Sequence, residues 1–247
     1  DPAYATLQAA LDTGLCVYAP AGTYTTSNAL TMTDHNQQLV GSGEGTRVIS
    51  SHLTNDIIQV GDGTNGIRNV VLRDFVIWAS VTKTAGSAVF ASHAYNCKLD
   101  RVFAGTPEDH IADGHRLANG FTFHDFDNSV INDCRLTTGI DGIVLSGHAA
   151  NTTAAGLFIG GGTRIVSCVR HGIFVSGGTG GVYLDNMDIS VAGNCGVWID
   201  DSIGIHNREI FFGPTLSIDG CGGRGIWFDA SSVVYAEMSG TWVCSNG

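Results

Sequence analysis

Asp200 and Asp229 are the residues of this chain best placed for acid–base chemistry. Each closes a short phrase: one residue, a glycine, then apolar and variable positions in alternation. The two read Cys195-Gly196-Val-Trp-Ile-Asp200 and Arg224-Gly225-Ile-Trp-Phe-Asp229. Three earlier copies read Asn119-Gly120-Phe-Thr-Phe-His124, Asp141-Gly142-Ile-Val-Leu-Ser146 and His171-Gly172-Ile-Phe-Val-Ser176. If successive phrases stack, the two aspartates stand on adjacent turns with backbones about 4.8 Å apart. Carboxylates that close share a proton readily. Glycoside hydrolysis uses such a pair, about 5 to 9.5 Å apart, as acid and as base or nucleophile. The plainer reading is that both end a strand at a turn, a common place for Asp. Asp201 takes the role if the strand ends one residue earlier.

Strand side chains alternate faces. The first and third positions after each glycine are apolar throughout, from Phe121 and Phe123 to Ile226 and Phe228, and point inward. The second positions then point outward: Thr122, Val144, Phe174, Trp198 and Trp227. So do the fourth: His124, Ser146, Ser176, Asp200 and Asp229. An outer stripe of Phe174, Trp198 and Trp227 flanked by Asp suits a glycan groove. Sugar C–H faces stack on indole, and carboxylates accept from hydroxyls. A covering loop or a neighbouring subunit accounts for the stripe equally well. The residues before the glycines, Asn119, Asp141, His171, Cys195 and Arg224, form another column. Asp141, His171 and Arg224 can line the groove as substrate contacts; as turn residues they would simply face water. A polar insertion between Ala104 and Ala118 carries Glu108, Asp109, His110, Asp113 and His115. Its spacing matches no metal motif, so a solvated loop is expected and no metal or cofactor is assigned.

These residues need elements to hold them. The repeat glycines lie 22, 30, 24 and 29 residues apart. Each unit contains short β-rich runs and no helix-period segment, and a unit that short cannot bury its apolar face alone. Stacked coils solve this, so the spacing predicts an all-β, single-stranded parallel β-helix. Asp1-Pro2 with Ala3, Leu7, Ala10, Leu11 and Gly14 predicts one short amphipathic helix over residues 1–14. It would cap the open end of a solenoid. Residues 15–247 form the β-helix domain, expected to continue past the C-terminus.

Composition agrees. Of 247 residues, 43% are hydrophobic, 14% are charged and 34 are glycine, with net charge −11. That suits strands and tight turns. It excludes a basic nucleic-acid footprint, and no apolar run approaches a membrane span. The seven cysteines make no zinc pattern. Cys97, Cys134, Cys168 and Cys244 follow similar phrases, which predicts one buried column in the core.

Leu7-Gln-Ala-Ala-Leu-Asp12 with Val17-Tyr-Ala-Pro-Ala-Gly-Thr-Tyr24 resembles the opening of pectate-lyase-superfamily right-handed β-helices. The resemblance is strongest to bacteriophage tailspikes and their secreted relatives. Leu39-Val-Gly-Ser-Gly43 is similar to their next turn. Val197-Trp-Ile-Asp200 is similar to a phrase in true pectate lyases. Asp201 stands where their histidine would, and no Arg-x-Pro-x-x-Arg occurs, so their calcium and arginine base are not carried over. The resemblance implies a virion or extracellular homotrimer acting on bacterial polysaccharide. Hydrolysis is expected over β-elimination, which needs cations to neutralise a uronate, and this chain is poor in lysine. The alternatives are a non-catalytic spike or adhesin segment and, more weakly, a secreted lyase or epimerase.

Overall fold

The computed structural model describes residues 6–105, 116–137, 139–147, 154–200, 209–229, 235–244 and 246. Within them 24 strands pair only in parallel, in three ladders that the chain visits in rotation. The first runs from Cys16–Tyr18 through Gln38–Val40, the long strands at 71–79, 98–104 and 119–132, then Ala154–Gly160, Thr179–Leu184, Ile210–Phe212 and Ala236–Met238. The second runs from Gly22–Thr26 and Thr46–Ser50 to Met187–Ser190, Leu216–Asp219 and Trp242–Cys244. The third, which carries the repeat phrases, stacks Leu30–Met32, Ile58–Val60, Ser87–Tyr95, the start of Asn119–Asn132, Asp141–Ser146, His171–Ser176, Val197–Ile199 and Ile226–Phe228. This is a parallel β-solenoid.

The inward positions close the core. Phe121, Phe123, Ile143, Leu145, Ile173, Val175, Val197 and Ile199 are fully buried, while Ile226 and Phe228 in the last of these strands are half-buried. Corners are turned by left-handed residues stacked in register. Asn36, Asn69, Asn96 and Asn128 have φ of 64°, 60°, 55° and 47°. Asparagine tolerates this region better than most residues. Its amide also bonds along the stack: Asn69 Nδ2 donates to Asn36 Oδ1 at 2.9 Å, and Asn96 Nδ2 to Asn69 Oδ1 at 3.2 Å. At another corner Asp74, Arg101 and Asp133 repeat the conformation, and Arg101 Nε donates to Asp74 Oδ1 at 2.6 Å.

The repeat glycine has a steric cause. A Cβ on Gly172 would lie 2.4 Å from Ile189 Cγ2 and 2.6 Å from the Gly196 carbonyl. Gly142 and Gly196 meet Ile165 and Ile218 in the same way. The glycine therefore faces the core together with the residue after it, and only a hydrogen fits.

The helix is shorter than expected. It spans Leu7–Leu11, with the Thr6 side chain accepting from Ala9 N; Asp1 to Ala5, including Pro2, lie outside the described residues. Ala10 and Leu11 are buried. The Gln8 amide accepts from Thr31 N at 2.8 Å and donates to Thr31 O at 3.2 Å, standing where a neighbouring strand would.

The cysteines do not form the single column their phrases suggest. Cys97 sits against Ser129 and Cys134 against Thr163. Cys168 follows its strand by two residues, the place that Cys221 takes after Leu216–Asp219. Cys244 is half-exposed at the end of its ladder. Similar local phrases land at different corners because the turns between strands differ in length. Cys97, Cys134 and Cys168 are nonetheless buried, and burial pushes their thiols up to about 12.

Gly172→Ala is expected to lose about 1–3 kcal/mol of stability by overpacking, read as a lower urea midpoint. Gly22→Ala, whose Cβ would find nothing nearer than 3.9 Å, should leave the midpoint nearly unchanged.

Candidate functional site

The third ladder places the outward residues in one column. Thr122 pairs with Val144, Val144 with Phe174, Phe174 with Trp198 and Trp198 with Trp227. The Phe174 and Trp198 ring centroids are 5.3 Å apart. Trp227 is 39% exposed, but one face is taken. The Arg224 guanidinium lies 3.2 Å from its ring centroid, a cation–π stack. The register is the one the spacing predicts; the occupied face of Trp227 is not.

The residue before each glycine reaches the same outer side. Because Gly172 and Ile173 both face the core, strict alternation breaks there and His171 turns outward beside Phe174. Its ring is stacked 6.0 Å from Phe174 and edge-on 4.6 Å from Trp198. The expectation that this column faces water needs correcting. Asp141, His171 and Cys195 are buried, at 1%, 0% and 1% exposure; Arg224 is exposed. His171 is covered by Phe174 and Trp198, and Asp141 is engaged by Arg170, which the sequence reading passed over. Its Nε donates to Asp141 Oδ1 at 2.9 Å, its Nη2 contacts Oδ2, and His171 N donates to Oδ1 at 3.2 Å. With both oxygens engaged, Asp141 positions Arg170 rather than offering itself to a ligand. The Arg170 guanidinium, its pKa raised by that hydrogen bond, lies 5.7 Å from the Phe174 ring centroid. The signal for Arg170 was an arginine directly before the column residue His171.

His171 Nδ1 accepts from Cys195 N at 3.4 Å. Its Nε2 and the Trp198 Nε1 are buried without a hydrogen-bond partner. Burial lowers the His171 pKa, the Asp141 charge opposing this and the Arg170 charge adding to it.

Asp200 and Asp229 continue the ladder past its strands. Asp200 N donates to Val175 O at 2.8 Å and Asp229 N to Ile199 O at 3.0 Å. They stand on adjacent turns, their backbones about 4.8 Å apart. Asp200 is 8% exposed and Asp229 is exposed, lining a shallow depression with Arg224, Ile226, Trp227 and Phe228. Asp201 lies outside the described residues, as do Glu108, Asp109, His110, Asp113 and His115.

Farther along the column of Asp200 and Asp229 lies a polar cluster, of which the sequence placed His124 and Ser146 on the outer face but missed His93 and Asp125. His124 Nδ1 lies 2.9 Å from Ser146 Oγ, and His93 Nε2 is 3.2 Å from Asp125 Oδ2. His93 and Asp125 are corner residues with φ of 53° and 51°, which alternation from the glycine does not reach. Among the described residues no group of three His, Cys, Asp or Glu is arranged to hold a metal.

No protein-family model and no curated protein sequence matches the chain. Solved structures do. The enzymatically active domain of bacteriophage CBA120 tailspike protein 2 superposes with a TM-score of 0.62 at 10% identity, over 97% of this chain and 39% of that one. The fold is a pectate-lyase-like β-helix resembling those of tailspikes. The Yersinia enterocolitica family 28 exopolygalacturonase gives 0.60 at 14% identity, over 98% of this chain and 62% of that one. The Dettilon tailspike protein gives 0.52 at 12%, over 96% and 55%. At these identities what is shared is the fold, and the β-helix described here spans 39% to 62% of the three proteins' lengths.

The His171 environment makes a pH prediction. With its folded pKa below the ordinary 6.5, the unfolded chain binds more protons than the native one on acidification. Stability is therefore lost from about pH 6.5 downward, until the folded ring itself protonates. Urea midpoints measured between pH 7.5 and 5 should fall less steeply for His171→Gln than for the parent; parallel curves would remove His171 from the effect.

Proposed function

We propose that the chain is a polysaccharide-acting β-helix of the tailspike type, binding bacterial surface glycan along the outer face of the third ladder and hydrolysing it. The observation that carries this is the in-register run Phe174, Trp198, Trp227 ending beside Asp200 and Asp229. Stacked aromatics offer apolar surface to sugar rings, and a paired carboxylate site can protonate a glycosidic oxygen while its partner activates water or attacks the anomeric carbon. Asp200, the less exposed of the two, is assigned the acid's role. Asp229 is then the base or nucleophile, with Asp201 next in line. Arg224 stacks on Trp227, so a sugar there either rides on the guanidinium or displaces it.

The same reading covers the coil and its setting. Parallel strands joined by crossovers wind right-handed in nearly all known cases, and we assign that hand here. The Leu7–Leu11 helix, with Gln8 bonded to the edge at Thr31, closes the N-terminal end, and residues 15–247 form one β-helix domain. The neighbours that are tailspikes support a virion or extracellular location; the homotrimer is what the sequence resemblance to tailspikes implies. Light scattering should then give the mass of three chains; a clean monomer would remove the trimer.

A second reading, a non-catalytic β-helical spike, is favoured by a second stripe. Phe158, Tyr183 and Phe211 stack in register on the first ladder, Tyr183 and Phe211 nearly parallel with centroids 4.5 Å apart. Tyr183 and Phe211 cover each other's facing rings, and Phe158 and Tyr183 are exposed. That suits packing against another subunit better than a sugar.

Cleavage decides between the two. Against a panel of capsular and O-antigen polysaccharides, the hydrolase reading predicts new reducing ends without unsaturated-uronate absorbance. Asp200→Asn and Asp229→Asn should each lower release by about 100-fold or more with glycan binding retained. Unchanged release from both variants would take these residues out of the mechanism.

A further inference from the structure

We propose that His171 and Trp198 form an anion-recognition subsite in the groove, taking the carboxylate of an acidic sugar. The proposal rests on the glycan reading above and names its substrate class.

The argument starts from two stranded donors. The His171 side chain is fully buried. Its Nδ1 accepts the Cys195 N–H, so in the neutral ring the proton sits on Nε2. Burial, which lowers the pKa, keeps the ring neutral near pH 7. The Trp198 indole N–H can only donate. Both N–H groups are buried without a partner, and their rings are in contact, centroids 4.6 Å apart and planes at 61°. Buried donors are nearly always satisfied, and exceptions point to function or to a missing partner.

What completes the site must be an acceptor. Two adjacent donors suit an oxygen with several lone pairs and no proton to place. A carboxylate meets that need best, and charge-assisted hydrogen bonds are roughly twice as strong as neutral ones. The surrounding charge is mixed: the Asp141 carboxylate next to His171 opposes an anion, while two guanidiniums favour one. Arg224 is exposed, stacks on the residue that pairs with Trp198, and makes no ion pair among the described residues. Arg170 lies on the other side, against Phe174, its charge engaged by Asp141. Asp200 and Asp229 sit at the far ends of the same short strands, which directs a carboxylate toward the arginine side and leaves the aspartates facing the neighbouring linkage.

The test follows the donor itself. In 15N-labelled protein, the Trp198 indole N–H resonance, assigned through its own backbone, is tracked by NMR during titration with glucuronate and, separately, with glucose. We expect a saturable downfield displacement with glucuronate and none with glucose. Arg224→Gln should weaken the glucuronate response by about tenfold, the usual scale for one charged contact. A resonance unmoved by glucuronate, as a permanently bound water would leave it, overturns the proposal. So does an equal response to both sugars. The readout needs no turnover: a normal glucuronate response with no polysaccharide cleavage would sink the hydrolase reading alone.

Discussion

A methyl group has no room at five corresponding places in this molecule. At Gly120, Gly142, Gly172, Gly196 and Gly225 a Cβ would lie 2.1–2.4 Å from an aliphatic side chain on another ladder, buried at the first four and exposed at the last. At the first four it would also approach the carbonyl of the following repeat glycine. Glycine lets two ladders close on each other at this corner, and the closure sets the register of everything after it. A slip of one residue would carry every core side chain to the surface, so the apolar pattern and the close corner hold the same alignment.

The outer face inherits that alignment. Phe174, Trp198 and Trp227 stand over one another because the residues before and after each of them are locked into the core. The same bend that admits glycine disrupts alternation and rotates His171 to the outer side. Two columns that simple periodicity would separate therefore meet, with His171 against Trp198 and Arg224 over Trp227. Packing thus creates the juxtaposition on which the chemistry of this face depends.

Polar groups in that face are handled in two ways. Asp141 is buried but fully engaged, by the fork of Arg170 and by the backbone of His171. His171 and Trp198, next to it, each keep one N–H without a partner. A buried network that is complete rigidifies its surroundings, while an incomplete one is costly. The contrast falls beside the carboxylate column.

The repeat phrase by itself determined the solenoid, the inward and outward positions of each strand, and the column that runs from Thr122 to Trp227. These follow from period-two alternation and a recurring glycine, both local properties. The burial of Asp141, the role of Arg170, the guanidinium on Trp227 and the pairing of His93 with Asp125 at a corner were decided only by the tertiary structure. So was the dispersal of the cysteines, whose similar phrases fall at different corners. Each depends on where the chain turns relative to its neighbouring coil. That is set by left-handed corners and by close glycine contacts with the following coil, such as Gly142 with Ile165 and Gly172 with Ile189, which no local pattern records.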